Sequence, residues 1–162
     1  MMVTKKVVIT MIIIFFITFG ICSAYGLPKG TLAENQLYLG YINIGSTPQK
    51  VTSVYGQPNR IDERNGMTYY YGNTLKFSFM GKGDSWLYDI TTTDNNGITT
   101  ADGVAVGMLV SKLYDTYGTP NYTRKDKDAT RYWYYWERSS YVYFTFTVKN
   151  GKIVQISLHH AD

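Results

Sequence analysis

The hydrophobic and polar positions of this chain say the same thing twice. Gly45–Asn59 aligns with Gly107–Asn121 at an offset of 62 without a gap. Six of the fifteen positions are identical: Gly45/Gly107, Lys50/Lys112, Tyr55/Tyr117, Gly56/Gly118, Pro58/Pro120 and Asn59/Asn121. A repeat found this early constrains the architecture before any single residue is interpreted. In the first copy Val51, Val54 and Tyr55 recur at helical spacing. Thr47 suits the N-cap, Pro48 the first helical position, Gly56 the C′ position where φ must be positive, and Pro58 stops continuation. The second copy runs through Leu109, Leu113, Tyr114 and Tyr117 and closes on Gly118 and Pro120. Its cap position holds Leu109, so its start is less well fixed unless Ser111 caps one turn later.

After each helix the period changes from 3.6 to 2. Strands are expected at about 67–72, 75–80 and 85–92, and again at about 130–137, 140–148 and 152–159. Turn residues separate them at Gly72-Asn73, Gly81 to Asp84, Arg138-Ser139 and Asn150-Gly151, of which Asn-Gly is the strongest hairpin signal. A shorter segment before each helix, residues 31–39 and 96–104, reads as a helical turn or two, with Leu32, Leu37 and Tyr38 inward in the first. The pattern predicts an α+β fold of two tandem repeats. Each repeat has one or two short helices packed on one face of a three- or four-stranded antiparallel sheet. A unit of this size buries a marginal core alone, and two in tandem can share a continuous sheet.

The first residues belong to export rather than to the fold. Lys5 and Lys6 precede an apolar run from Val7 to Ile21, followed by Cys22-Ser23-Ala24 and a polar sequence. A basic n-region, an h-region and a small-residue cleavage site make a signal peptide, with cleavage expected after Ala24. The run is short for a membrane span, which leaves no span in the mature chain. The chain divides into a signal peptide at 1–24 and repeats at 25–94 and 95–162. Cys22 is the only cysteine, so the exported part relies on its core rather than on disulfides. The formal net charge is +4, and Lys5 and Lys6 carry two of those charges. Nucleic acid is therefore not an expected partner, because it requires a clustered basic face. The basic run Arg124 to Asp128 is interrupted by its own aspartates and reads as a solvated loop.

Ile-Gly followed by a capped helix, Tyr-Gly-x-Pro, Tyr-x-Tyr and Phe-x-Phe resembles the SmpA/OmlA (BamE-like) domain, over Ile44 to Thr91 and again over Val106 to Leu158. The stretch from Thr100 to Gly107 is similar to the lead-in of secreted Gram-positive versions. A tandem pair of such units is also the architecture of the β-lactamase inhibitory proteins. The resemblance implies a bacterial envelope or secreted protein that works by binding. The chain departs from the lipoprotein pattern at Ile21, where a lipobox has a small residue, and from the inhibitors in having no cysteine pair.

Catalytic chemistry finds no footing in the sequence, and the chain reads as no enzyme, with no cofactor and no metal. His159 and His160 are the only histidines, and adjacent strand residues point to opposite faces. They read as a solvated pair near the terminus. Asp94-Asn95-Asn96-Gly97 lacks the remaining ligands of a calcium loop. There is no phosphate-loop motif, and carboxylates are scattered.

What stands out is aromatic. The chain has 16 tyrosines and three tryptophans. If Phe77, Phe79, Phe144 and Phe146 face the helices, Tyr69, Tyr71, Tyr132 and Tyr134 also point inward. Tyr70, Trp133, Tyr135, Tyr141 and Tyr143 then lie on the open face. Tyr and Trp provide large, stiff contact area with a polar tip, which suits a binding surface. The same rings also serve cross-strand pairing on an exposed sheet. The expected function is a secreted or cell-surface protein-binding module, with an inhibitor of an extracellular enzyme as its sharper form. A structural envelope component and a cell-wall or glycan-binding module are the alternatives. Neither the partner nor the oligomeric state is legible in the sequence.

Overall fold

A computed structural model describes residues 30–64, 66–81 and 85–161. The predicted signal segment and cleavage site lie outside the described residues. Eleven strands and two short α-helices follow in chain order. The strands are β1 (Thr31–Leu32), β2 (Tyr38–Leu39), β3 (Ile42–Asn43), β4 (Arg60–Asp62), β5 (Met67–Tyr71), β6 (Leu75–Met80), β7 (Trp86–Thr92), β8 (Tyr122–Lys125), β9 (Thr130–Trp136), β10 (Ser139–Lys149) and β11 (Lys152–His160). The helices are α1 (Pro48–Tyr55), after β3, and α2 (Ser111–Tyr117), after β7.

Nine strands form one mixed sheet in the order β1-β9-β10-β11-β7-β6-β5-β4, with β8 also paired to β9. Its only parallel pair among the described residues is β1 with β9. This corrects the expected fold class. The chain is not two repeats that each pack helices on a small sheet; it is mostly sheet, and that sheet is single and continuous. The seam decides this. β7 and β11 pair antiparallel through Asp89/His159, Ile90/Leu158, Thr91/Ser157 and Thr92/Ile156. An open strand edge leaves a row of unpaired peptide groups, and here the two edges satisfy each other. Helices of eight and seven residues cover only part of one side of such a sheet.

The six long strands fall close to their expected positions, while β1 to β4 and β8 were not expected. The segment at 31–39 is not helical beyond a 3-10 turn at Glu34–Gln36. Its flanks are β1 and β2, and Tyr38 is exposed rather than inward. Residues 96–104 form turns and isolated bridges instead of a helix. β8 is exposed at every position, so it carried no alternation to read.

The fifteen-residue likeness is explained locally. α1 begins as expected, with Thr47 Oγ1 accepting the Lys50 amide at 3.2 Å and Pro48 at the first position. α2 starts at Ser111 without a side-chain cap, because Val110 before it is already helical. Both helices end on a glycine of positive φ, Gly56 at 75° and Gly118 at 72°. Tyr71 Oη donates to the Gly56 carbonyl at 2.9 Å, and Tyr134 Oη to the Gly118 carbonyl at 3.1 Å. Asn59 Oδ1 accepts from the Gly72 amide at 2.6 Å, and Asn121 Oδ1 from the Tyr135 amide at 2.9 Å. The shared Gly, Asn and Tyr residues thus tie each helix exit to the second strand after it, the end of β5 in one half and β9 in the other.

One core lies between the helices and the sheet. Phe77, Phe79, Phe144, Phe146, Leu87, Ile90, Ile156 and Leu158 come from the strands, Val51, Leu113 and Tyr117 from the helices, and Tyr134 from β9. Every one of these is buried, which confirms the inward assignment of the Phe-x-Phe pairs.

Candidate functional site

Among the described residues the opposite face of the sheet carries no helix. The register arranges its side chains in rows that cross the strands. One row runs Tyr135, Tyr143, His159, Asp89, Ser78 and Thr68 over β9, β10, β11, β7, β6 and β5. The next runs Tyr122, Trp133, Thr145, Ser157, Thr91, Lys76 and Tyr70 from β8 to β5. A shorter third row holds Arg124, Arg131, Thr147 and Gln155.

Four of the five expected aromatics gather at one flank. Tyr135 meets Tyr143 edge-on at 5.5 Å between ring centroids. Trp133 packs on Tyr122 at 5.0 Å, a partner the sequence reading did not include. Tyr141 is 58% exposed near the start of β10. Trp133, Tyr135 and Tyr143 are half-buried by their neighbours, so their rings are held in place rather than free. Tyr70 does not join them. It lies four strands from Tyr143, roughly 19 Å at the usual strand spacing. Its ring is covered by the Arg60 guanidinium, 3.6 Å above the centroid.

Between the two aromatic regions lies a polar centre that sequence reasoning missed. His159 Nδ1 and Asp89 Oδ1 are 3.2 Å apart, and Lys76 Nζ is 3.3 Å from Asp89 Oδ2. Thr91 Oγ1 donates to Asp89 and shares a 2.9 Å hydrogen bond with Ser157 Oγ. Gln155 Nε2 donates to Ser157 Oγ at 3.1 Å. Burial alone would raise the Asp89 pKa, but the His159 hydrogen bond and the Lys76 ammonium outweigh it and hold the carboxyl below its ordinary range. Burial beside Tyr135 and Asp89 pushes the Tyr143 hydroxyl up. His159 is therefore not a solvated terminal residue. Alternation already placed Gln155 and Ser157 outward; the missing signal was the β7–β11 pairing, which brings in Asp89 and Thr91.

A groove of about 970 Å³ opens over this region. Trp133, Tyr143, Thr145, Thr147, Gln155 and Arg131 line it. Asp126 accepts from Arg124 Nε at 3.0 Å and pairs with Arg131 at 3.1 Å, so the run read as a solvated loop is partly tied down. Among the described residues no group of three or more His, Cys, Asp or Glu side chains is placed to hold a metal ion. Among the same residues no helix is long and apolar enough to cross a membrane.

No protein-family model and no curated protein matches the chain, so the SmpA/OmlA resemblance gains no support from either. Solved structures do resemble it. An extracellular protein containing an SCP domain from Bacillus anthracis superposes with a TM-score of 0.51 at 8% identity, over 72% of this chain and 44% of that one. The chain thus spans less than half of that protein's length, and identity this low speaks to fold alone. A DUF4309 family protein, YjgB, from Bacillus subtilis gives a TM-score of 0.44 at 16% identity, over 71% of this chain and 78% of that one. A candidate β-lactamase inhibitor protein from Streptococcus mutans gives 0.30 at 13% identity, over 82% and 92%. Likenesses at these last two levels carry no argument about function.

Proposed function

We propose that this chain is a non-enzymatic extracellular binding module whose macromolecular partner lies across the helix-free face of the sheet. The observation that supports this is the ordered aromatic flank: Trp133 with Tyr122, and Tyr135 with Tyr143, are pre-positioned rings on an open face. Stiff aromatics lose little entropy on binding and dominate interface energetics. The titratable pair on the same face supports binding over catalysis, because Asp89 is already occupied by Lys76, His159 and Thr91. A protein partner is the form of this reading that the exposed Tyr141 and Tyr122 favour, with inhibition of an extracellular enzyme as its narrowest version. Export follows from the predicted signal peptide, and the mature chain is expected to begin at Tyr25.

The test is retention of the purified mature protein on envelope and medium fractions of the producing organism. The parent should be retained, and a variant carrying Trp133→Ala, Tyr135→Ala and Tyr143→Ala should not, with both showing the same far-UV circular dichroism. Equal retention of the two would refute the reading. Mass spectrometry of the exported product checks the N-terminus in the same preparation.

A further inference from the structure

We infer that the end of the open face where β8 turns into β9 and β10 into β11 is a cationic rim that holds an acidic, extended segment of the protein partner. This rests on the open face being the binding surface and names the partner's chemistry beside the aromatic flank.

The register sets like charges opposite one another twice. Arg124 on β8 faces Arg131 on β9, and Lys149 on β10 faces Lys152 on β11. Directly opposed residues of an antiparallel pair stand about 5 Å apart at Cβ, and like charges there destabilise the sheet. Both pairs lie at the same end and on the same face. Val148 and Ile153, the inner neighbours of the two lysines, are buried, so the lysines point to the open side. Arg131 is opposite Thr147, two residues before Lys149, which makes Lys149 its diagonal neighbour, roughly 7 Å away. The four cations form one strip across four strands, roughly 14 Å wide at the usual strand spacing. Lys127, in the β8–β9 turn, lines the same groove as Arg131 and Lys149.

The local carboxylates do not neutralise the strip. Asp126 serves both arginines, 3.0 Å from Arg124 and 3.1 Å from Arg131, and Asp128 is exposed in the turn. Lys127, Lys149 and Lys152 are exposed, and among the described residues none of the three forms an ion pair. A sheet built for stability alone would set a carboxylate opposite each cation. Charge protection of a sheet edge accounts for Arg124 only, because β9, β10 and β11 each have a strand on both sides. The Arg124–Arg131 row lies next to the Tyr122–Trp133 row on the same face. Rings flanked by charge are the layout of a protein interface, in which rim charges steer the encounter and select the partner. The strip is as wide as about four residues of an extended chain are long. The element it fits is therefore a short acidic strand or loop, not a single carboxylate.

The experiment has two arms. In the first, fluorescently labelled octaglutamate and octaglutamine are titrated with the mature protein and followed by anisotropy. Octaglutamate should bind and octaglutamine should not, and raising salt from roughly 50 to 500 mM should remove most of the binding. Lys149→Gln with Lys152→Gln should weaken octaglutamate binding by about tenfold, the worth of two exposed ion pairs. The same double variant should unfold at a temperature no lower than the parent's, because it removes a repulsion. Lys50→Gln with Lys112→Gln takes the same charge from the two helices and should stay within about twofold of the parent. In the second arm, the Lys149/Lys152 variant should be retained less than the parent on the envelope and medium fractions. No binding of octaglutamate, an equal loss in both double variants, or unchanged retention of the Lys149/Lys152 variant would overturn the inference. Preference for inorganic polyphosphate over octaglutamate would assign the strip to a phosphate polymer and overturns it too. Retention that needs Trp133, Tyr135 and Tyr143 but neither lysine leaves the open face as the binding surface while this inference fails.

Discussion

His159 and Asp89, separated by 70 positions, meet at 3.2 Å across the β7–β11 seam. The contact joins the two halves of the chain at the point where their last strands pair. It also places a nearly buried carboxylate between an imidazole and the Lys76 ammonium.

Acid stability should depend on this carboxylate. Burial raises the Asp89 pKa, and the His159 and Lys76 interactions more than reverse that, leaving it depressed in the folded state. A depressed folded pKa gives stability that is present above the unfolded value of about 4 and is lost as pH falls through the folded value. Asp89→Asn should therefore cost about 2 kcal/mol at neutral pH, where Lys76 and His159 lose their partner. The difference from the parent should shrink as pH falls below about 4. Urea denaturation at a series of pH values checks both the loss and its convergence.

The helix exits demand glycine for a stricter reason than positive φ. Gly56 has φ 75° with ψ −162°, and Gly118 has φ 72° with ψ −154°. This lies away from the left-handed helical well, in a region that only glycine enters without strain. A Cβ at Gly56 would meet nothing within 4 Å, so the penalty is purely backbone. Gly56→Ala should lower stability by roughly 1–3 kcal/mol. Gly56→Asn should do no better, whereas asparagine would relieve a left-handed helical site. Equilibrium unfolding of the two variants separates the cases.

The two faces of β9 and β10 should respond differently to truncation. Phe144 and Phe146 are fully buried between helix and sheet, and their replacement by alanine should destabilise by roughly 3–5 kcal/mol. Trp133 gains mainly a cross-strand ring partner, so Trp133→Ala should cost about 1 kcal/mol. Thermal unfolding orders the three variants, and a larger loss at Trp133 would contradict the assignment of faces.

Alkaline stability should report on Tyr55. Burial, with Tyr41 and Tyr71 nearby, pushes its hydroxyl up to about 12, and the hydroxyl donates to the Gly40 carbonyl at 2.6 Å. A raised folded pKa leaves stability intact below the unfolded value of about 10. Stability is then lost as pH rises through the folded value. Ultraviolet titration of the parent should show tyrosine ionising with unfolding, and Tyr55→Phe should soften the alkaline limb of the stability profile.

Much of this protein was set by sequence alone. Period-two alternation located the six long strands, put Phe77, Phe79, Phe144 and Phe146 in the core, and put Trp133, Tyr135, Tyr141 and Tyr143 on the other side. These are local consequences of the pleat, where each residue's face follows from its neighbour's. Turn chemistry located Gly56 and Gly118, because a backbone reversal is specified within a few residues. Only the tertiary structure decided how the halves combine. Strand edges carry no side-chain mark of their partner, so nothing in residues 86–92 or 152–160 announces that β7 closes on β11. Until that seam exists, Asp89, Thr91, Ser157 and His159 are four unrelated polar residues; the seam makes them one network and sets Tyr70 four strands from the ring cluster it was expected to join.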